Sequence, residues 1–209
     1  MNLLIISASQ RINSQSDKVA QYLAETTTGF NTINHIELCR KKLPLWDGEK
    51  SSKEQSNSDW SGINEHLKTA DALILITPEW DGTASPLLKN FLMMCEGQVT
   101  AHKPALLISV SSGINGAYPI AELRMSAFKN NKLVAIPDHI IIRNVEEVLN
   151  NTNENKQSKQ NLTTRDSGIR QHIAYSLHTL KYYSQAHKVL RSALAEQIFP
   201  NAHEYAYGM

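Results

Sequence analysis

Short apolar runs alternate with amphipathic helical patterns along most of the chain, and this alternation limits the possible folds more than any other feature. The runs are almost continuously apolar, as parallel strands covered on both faces require. Four runs are clear: Leu3–Ser7, Ala72–Thr77, Ala105–Ser111 and Asp138–Arg143. A fifth run, Thr32–Leu38, is weaker. The pattern predicts an α/β fold, a three-layer sandwich with a five-stranded parallel sheet of order 2-1-3-4-5 and helices on both faces. An eight-unit barrel would need about 250 residues and does not fit 209.

Four amphipathic segments between the runs predict helices. Ser85 followed by Pro86 is a favourable pair for a helix start, and Ser16 with Asp17 is a candidate cap for the first helix. The apolar positions at helical spacing are Val19, Ala20, Leu23 and Ala24; Ile63, Leu67 and Ala70; Leu88, Phe91, Leu92 and Cys95; and Pro119, Ile120, Leu123, Ala127 and Phe128.

The last third of the chain has a different composition. Residues 150–166 are polar and predict a surface loop, which is followed by one long helix from Ser167 to about Leu194 with a single apolar stripe. One helix cannot form a second domain, so residues 1–209 are expected to be a single domain. The helix is expected to pack on the sheet or on another subunit, and the tail with Tyr205 and Tyr207 is either an exchanged arm or a frayed end.

Composition and charge exclude several classes of protein. The 21 Lys and Arg against 20 Asp and Glu leave a net charge of +1, so no nucleic-acid partner or acidic membrane surface is expected. No apolar run approaches the roughly 20 residues of a membrane span, and no leader sequence is recognised. Two cysteines cannot form a disulfide framework, so a cytoplasmic location is expected. The eight histidines show no regular ligand spacing, and no metal site is predicted.

The loop after the first apolar run has the composition of a phosphate site. It carries Ser9, Arg11, Ser14 and Ser16 at a strand-to-helix turn, where free backbone N–H groups attract an anion. The loop contains no glycine, so it is neither a dinucleotide fingerprint nor a Walker A loop. Its hydroxyl and amide donors suit a phosphate monoester. The alternative is a polar loop that only caps a helix.

Two further loops are expected at the same edge of the sheet, beside the crevice between the first and third strands. The loop over residues 77–86 places Trp80 between Pro78 and Gly82, which predicts an irregular backbone with a flat apolar wall for a planar heteroaromatic ligand. A surface turn with a half-buried tryptophan is the alternative. The loop that begins at Ser111 contains two glycines and predicts a flexible rim, although many such loops are inert.

Three segments together carry a family resemblance: Ser9–Ser16, Pro78–Gly82 and Leu88–Asn90, which read SQRINSQS, PEWDG and LKN. They resemble the NAD(P)H-dependent FMN reductase family, which includes flavodoxin-like azo, quinone and chromate reductases. The segment Leu43–Asp47 is also similar to that family, and the resemblance covers about residues 1–145. It implies a flavodoxin-like fold, a noncovalent FMN, NAD(P)H as co-substrate and a homodimer or homotetramer.

The resemblance also implies a set of FMN-binding residues and no catalytic side chain, because the flavin itself transfers the hydride. It implies that the phosphate is held by Ser9, Arg11, Ser14, Gln15 and Ser16, that the ring lies along Pro78, Glu79, Trp80, Asp81 and Gly82, and that the opposite edge is closed by Ser111, Ser112 and Gly113.

The sequence departs from the family pattern at two places. Asp81 stands where the family usually has Asn or His, and Met93–Cys95 replaces an acidic–aromatic pair. NAD(P)H would reduce the flavin, and a quinone, azo compound, metal oxyanion or free flavin would reoxidise it. The two rival interpretations are an FMN electron carrier without NAD(P)H turnover and a phosphate-binding module without flavin.

Overall fold

The central sheet of the computed structural model, which describes residues 1–150 and 162–202, contains five parallel strands. In chain order they are β1 (Asn2–Ser7), β2 (Thr32–Glu37), β3 (Ala72–Trp80), β5 (Pro104–Val110) and β6 (Val134–Ile142). Their spatial order is β2-β1-β3-β5-β6, which is the predicted 2-1-3-4-5 order of the five apolar runs. A two-residue strand, β4 (Thr83–Ala84), pairs antiparallel with the end of β3 and adds a sixth strand.

Helices cover both faces of the sheet. They are α1 (Gln15–Thr26), α2 (Lys50–Lys53), α3 (Trp60–Thr69), α4 (Pro86–Met94), α5 (Gly97–Thr100), α6 (Ala117–Ser126) and α7 (Thr164–Glu196), with 3-10 turns at Leu38–Arg40 and Val145–Glu147. Ser85 caps α4 as expected, with its Oγ accepting from the Leu87 amide at 3.1 Å. The cap predicted at Ser16 and Asp17 is wrong, because the cap lies two residues before Ser16: α1 begins at Gln15, and Ser14 accepts from the Asp17 amide at 3.1 Å.

Alternate side chains of the strands enter two separate apolar cores. Leu4 and Ile6 of β1 face α3, α4 and α6, whereas Leu3 and Ile5 face α1 and α7. Because β1, β3 and β5 lie inside the sheet, both sets of side chains are buried, which explains why these strands are continuously apolar in sequence. Cys95 lies in the first core, as its position on the apolar face of α4 predicted.

The long helix α7 packs on the sheet through its first five turns. Ile173, Leu177 and Leu180 belong to the core that α1 also covers, so the stripe contacts the chain's own sheet. The helix begins at Thr164, three residues before the predicted start, and Thr163 caps it by accepting from the Asp166 amide. Residues 151–161 of the predicted polar loop, and Tyr205 and Tyr207 of the tail, lie outside the described residues.

Charged side chains tie α3 and α7 to the amino-terminal edge of the sheet. The Lys103 ammonium is buried and donates to the Leu67 carbonyl and, at 3.1 Å, to the Lys68 carbonyl at the end of α3. Asp71 accepts from the Asn2 amide at 3.0 Å and from the Arg191 guanidinium at 3.1 Å. Burial lowers the pKa of Lys103 to about 8. These contacts give the buried Lys103 and Asp71 side chains hydrogen-bond partners within the folded chain.

No helix within residues 1–150 and 162–202 is both long enough and apolar enough to span a membrane. That residues 1–209 form a single domain stays a prediction.

Candidate functional site

The loops after β1 and β3 meet at the carboxyl edge of the sheet. The Ala8 amide donates to the Ile76 carbonyl at 3.0 Å, and the Ser85 hydroxyl donates to Gln10 Oε1 at 3.3 Å. The guanidinium carbon of Arg11 lies 5.1 Å from the ring centre of Trp80. The first two predicted site segments are therefore neighbours, because β1 and β3 are adjacent in the sheet.

The first loop leaves unpaired polar groups beside the start of α1. Ser9 accepts from the Arg11 amide at 3.2 Å, and Ser14 accepts from the Asp17 amide, so both hydroxyls shape the turn. Gln15 Oε1 and Ser16 Oγ are buried and have no hydrogen-bond partner among the described residues. The amides of Gln15 and Ser16 lie in the first turn of α1, where a helix offers no internal acceptor. Buried polar atoms without partners are costly in a folded chain, so this arrangement favours an external ligand.

The second loop is a regular β-hairpin, and the irregular backbone predicted there is wrong. Glu79 pairs with Ala84 and Trp80 pairs with Thr83, with Asp81 and Gly82 at the turn. Asp81 has φ of +49° and Gly82 has φ of +72°, as a type I′ turn requires. Asp-Gly is a favoured pair for that turn, so the sequence contained a signal for the hairpin. Trp80 is half-buried on this hairpin, and Glu79 Oε1 is buried without a partner among the described residues.

One carboxylate connects the hairpin to two helices. Glu122 of α6 accepts from the Ala84 amide at 2.6 Å and from the Lys89 ammonium of α4 at 2.9 Å. Burial acts to raise the pKa of Glu122, but the hydrogen bonds from Lys89 and Ala84 outweigh it, and the pKa is lowered. A Cβ added at Gly82 would lie 3.6 Å from the ring of Tyr118 at the start of α6. The hairpin and α6 therefore form one connected wall.

The third loop follows β5, the strand next to β3, and is held by β6. The Ser111 amide donates to the Ile142 carbonyl at 2.9 Å, and the Asn144 amide donates to the Gly113 carbonyl at 2.9 Å. Ser111 Oγ accepts from the Gly113 amide at 3.3 Å, whereas Ser112 and Gly113 are exposed. Backbone hydrogen bonds therefore hold the loop at Ser111 and Gly113. That its two glycines make it a flexible rim stays a prediction.

Gly116 ends the third loop and has a conformation that suits glycine. Its φ is +113°, and a Cβ at this position would approach Ile141 Cγ2 to 2.6 Å. A side chain at residue 116 would therefore push the loop away from β6. The close approach of Gly116 to β6 keeps Ser111 and Gly113 at the edge of the sheet.

Comparison with known proteins identifies the family. The model for NADPH-dependent FMN reductases matches residues 1–147. The chain belongs to this family. An NADPH azoreductase of Bacillus sp. (strain OY1-2) is 27% identical over 142 residues, which are 68% of this chain and 76% of the relative. An FMN-dependent NADPH-azoreductase of Staphylococcus aureus (strain USA300) is 33% identical over 128 residues, or 60% of this chain and 68% of the relative.

A solved structure supports the fold. FerB, a flavoenzyme NAD(P)H:(acceptor) oxidoreductase from Paracoccus denitrificans, superposes with a TM-score of 0.61 at 18% identity, covering 89% of this chain and 98% of FerB. The expectations of the flavodoxin-like fold, of a reductase, and of FMN with NAD(P)H are confirmed at the level of the FMN reductase family. The whole of α7 lies beyond the matched residues.

Sequence reasoning missed three residues that support the first and second loops. Gln10 receives the Ser85 hydroxyl, Glu122 holds the hairpin, and His35 Nε2 lies 2.8 Å from Ser7 Oγ at the end of β1. Burial lowers the pKa of His35, and burial with the nearby Glu37 raises the pKa of Asp17, which lies 3.7 Å from the His35 ring. No motif announces these contacts, because each joins residues that are far apart in sequence.

The two thiols of this FMN reductase family member are poor nucleophiles. Burial and a hydrogen bond to Glu37 raise the pKa of Cys39 to about 11, and burial raises the pKa of Cys95 further. Within the described part of the chain, no group of three or more His, Cys, Asp or Glu side chains could hold a metal ion.

Proposed function

We propose that this chain holds FMN noncovalently between the three loops and transfers hydride from NAD(P)H to a quinone, azo compound, metal oxyanion or free flavin. The observation that carries the proposal is Ser16 Oγ, a buried hydroxyl at the first turn of α1 with no hydrogen-bond partner among the described residues. A phosphate monoester supplies the acceptor that this hydroxyl needs, and the neighbouring Gln15 Oε1 is a buried acceptor that could receive a donor from another part of the ligand.

The first loop provides charge as well as donors. Arg11 is exposed and forms no ion pair with a carboxylate in the described ranges, so its guanidinium is available to a dianion. The amides of Gln15 and Ser16 and the positive end of the α1 dipole add to this attraction. Ser9 and Ser14 hold the loop in shape by accepting from the Arg11 and Asp17 amides, and each hydroxyl keeps its own hydrogen to donate to a phosphate oxygen.

The hairpin and the third loop provide the two sides for a ring. Pro78 to Gly82 run along the β3–β4 hairpin. On this side, the Trp80 ring would offer an apolar surface to the flavin ring, and the backbone of Asp81 would offer polar groups to its edge. Ser111, Ser112 and Gly113 lie across the crevice at the end of β5, which is the next strand in the sheet. Bound FMN supplies the hydride chemistry. The residues of this chain bind and orient it, and no side chain is needed as a nucleophile.

The test is a titration of the purified protein with FMN. Arg11→Ala should weaken FMN binding about 10- to 100-fold, because a hydrogen bond to a charged group contributes about 1.5–3 kcal/mol. Lys129→Ala, which removes an exposed cation at the end of α6, is the matched control and should leave the affinity unchanged. If the wild-type protein does not bind added FMN, the proposal is wrong, and the rival interpretation of a phosphate-binding module without flavin is favoured.

Steady-state kinetics separate the reductase from an electron carrier. The FMN-loaded protein should consume NADPH or NADH in the presence of a quinone, an azo dye or FMN, with parallel double-reciprocal lines because both substrates use one position in turn. A carrier would leave NADPH unconsumed, and intersecting lines would require both substrates to be bound together. The homodimer or homotetramer and the cytoplasmic location stay predictions.

A further inference from the structure

A second cavity lies directly beside the third loop. It has a volume of about 460 Å³ and opens between the end of β6, the third loop and the first turns of α7. Its lining residues are Ile114, Ile141, Ile142, Arg143, Asn144, Val148, Arg165, Gly168, Ile169 and His172. None of these residues belongs to the FMN site that the sequence implied, yet Ile114 follows Gly113 directly in the chain.

The cavity combines apolar walls with one available positive charge. Ile114 is 78% exposed although it is a large apolar side chain, and it lies at the mouth of the cavity with Ile141 and Ile169. Isoleucine side chains of this kind form a surface on which a flat aromatic group can pack. An exposed isoleucine next to a cavity indicates an uncovered contact for a ligand.

Arg143 supplies the charge. Its Nε donates to the Ile114 carbonyl at 2.6 Å, which holds the guanidinium against the third loop. Its two terminal nitrogens form no hydrogen bond to any residue within the described ranges. By contrast, Arg165 pairs with Glu147 at 2.8 Å, and His172 lies 3.3 Å from Asp138. Arg143 is therefore positioned by one of its nitrogens and free to bind an anion with the other two.

We infer that this cavity holds the adenosine half of the nicotinamide dinucleotide, with Arg143 bound to one of its phosphate groups. The inference rests on the proposed function, since the nicotinamide must reach the ring beside Ser111 and Gly113. From that position the third loop leads directly to Ile114 and Arg143. The volume lies in the range of about 300–1,000 Å³ that is typical of ligand cavities. An apolar surface and a free guanidinium match an adenine base and a phosphate.

The first experiment compares Arg143→Gln with the wild type in steady-state kinetics using NADPH, NADH and reduced nicotinamide mononucleotide. The KM for NADPH should rise at least tenfold with kcat changed less than twofold, whereas the KM for the mononucleotide, which lacks the adenosine half, should not change. A loss confined to NADPH would assign Arg143 to the 2′-phosphate, and an equal loss with NADH would assign it to the pyrophosphate. An unchanged KM for NADPH, or an equal rise for the mononucleotide, overturns the inference.

A direct binding measurement separates this inference from the proposed function. Adenosine 2′,5′-bisphosphate contains no nicotinamide, and its affinity can be measured by calorimetry whether or not flavin is bound. We expect binding to the wild type and to Lys188→Gln, an exposed cation near the other end of α7, and at least tenfold weaker binding to Arg143→Gln. A wild type that reduces acceptors with NADPH but shows no such difference refutes the inference alone. A wild type that binds the bisphosphate but never oxidises NADPH refutes the proposed function.

A cavity-filling variant tests whether Arg143→Gln raises the KM for NADPH only by moving the third loop. Gly168 lines the cavity and a Cβ added there meets no atom within 4 Å, so Gly168→Leu places a side chain at the cavity and replaces a helical glycine. It should raise the KM for NADPH at least fivefold and leave the KM for the mononucleotide unchanged. Gly62→Leu, at an equally open position in α3, is the control and should not alter either KM. Equal KM values in Gly168→Leu and the wild type would show that the cavity is not used.

Discussion

Two sets of buried polar atoms, one near each edge of the sheet, differ in whether the described part of the chain supplies their hydrogen-bond partners. At the amino-terminal edge, Lys103 donates to two carbonyls of α3 and Asp71 accepts from a backbone amide and a guanidinium. At the carboxyl edge, Gln15 Oε1, Ser16 Oγ and Glu79 Oε1 are buried with no partner in the described part of the chain. The first edge contributes to stability, and the second retains hydrogen-bonding capacity for a ligand.

The largest expected effect is at the amino-terminal edge. Lys103→Met should lower the free energy of unfolding by about 2–3 kcal/mol at pH 7, because the Leu67 and Lys68 carbonyls lose their buried donor. FMN affinity should stay unchanged, since the substitution lies at the opposite edge. Urea unfolding and an FMN titration measure the two quantities. Lys129→Met on an exposed position should change neither, and a loss of FMN affinity in Lys103→Met would contradict the separation of the edges.

The same lysine gives a pH dependence of known sign. Burial lowers the pKa of Lys103 to about 8 from 10.5, so between these values the unfolded chain binds a proton that the folded chain lacks. Stability from this residue therefore rises with pH across that window, by about 1 kcal/mol per pH unit. The difference in unfolding free energy between wild type and Lys103→Met should grow from pH 8 to pH 10. A difference that stays constant or shrinks would refute a buried, titrating ammonium.

At the carboxyl edge, we expect a substitution to lower ligand affinity without lowering the stability of the flavin-free protein. Ser16→Ala should leave the flavin-free protein equally stable or more stable by up to about 1 kcal/mol, because it removes a buried hydroxyl that has no partner within residues 1–150 and 162–202. It should also weaken FMN binding about tenfold. Thermal unfolding and FMN titration test both statements. Ser176→Ala is the matched control: this buried hydroxyl donates to Asp138, so its loss should destabilise the protein by about 1 kcal/mol without altering FMN affinity.

The smallest effect concerns Asp81 at the hairpin turn. Its carboxylate is exposed, and the proposed ring position places it near the flavin. Asp81→Asn should make the flavin midpoint potential more positive by on the order of 10 mV, because a nearby negative charge disfavours reduction and water screens most of it. Asparagine also suits the φ of +49°. Glu54→Gln, at an exposed site outside the loops, should leave the potential unchanged in the same spectroelectrochemical titration.

The fold could be predicted from the sequence because its signal is local. Leu3–Ser7 and Ala72–Thr77 are apolar on both faces, as a parallel strand covered by helices on both sides requires. Ser85 with Pro86 marks the start of α4. The first loop was recognisable for a similar reason, since its hydroxyls and Arg11 stand in one continuous segment. The family match over residues 1–147 agrees with the extent of those signals.

The supporting contacts of the site could not be predicted, because they join distant parts of the chain. Glu122 lies 38 residues from Ala84, and Gln10 lies 75 residues from Ser85. Nothing in the composition of α6 distinguishes Glu122 from a surface glutamate. Arg143 was read only as the end of an apolar run, and its role beside Ile114 depends on how β6 meets the third loop. The Asp81-Gly82 hairpin is different, since its signal was present and was interpreted as an irregular turn.

The hydrogen bonds of the Glu122 carboxylate affect which electron acceptors could reach the proposed flavin position. Because it joins the hairpin to both α4 and α6, the hairpin side of the proposed ring position is fixed by the folded chain before any molecule enters. A wall fixed in advance selects by molecular shape rather than by functional group. We therefore expect flat conjugated acceptors and small oxyanions to reach the proposed ring position, and bulky saturated molecules to be excluded, so that a broad choice of oxidants and a limit on their bulk depend on the same side chain.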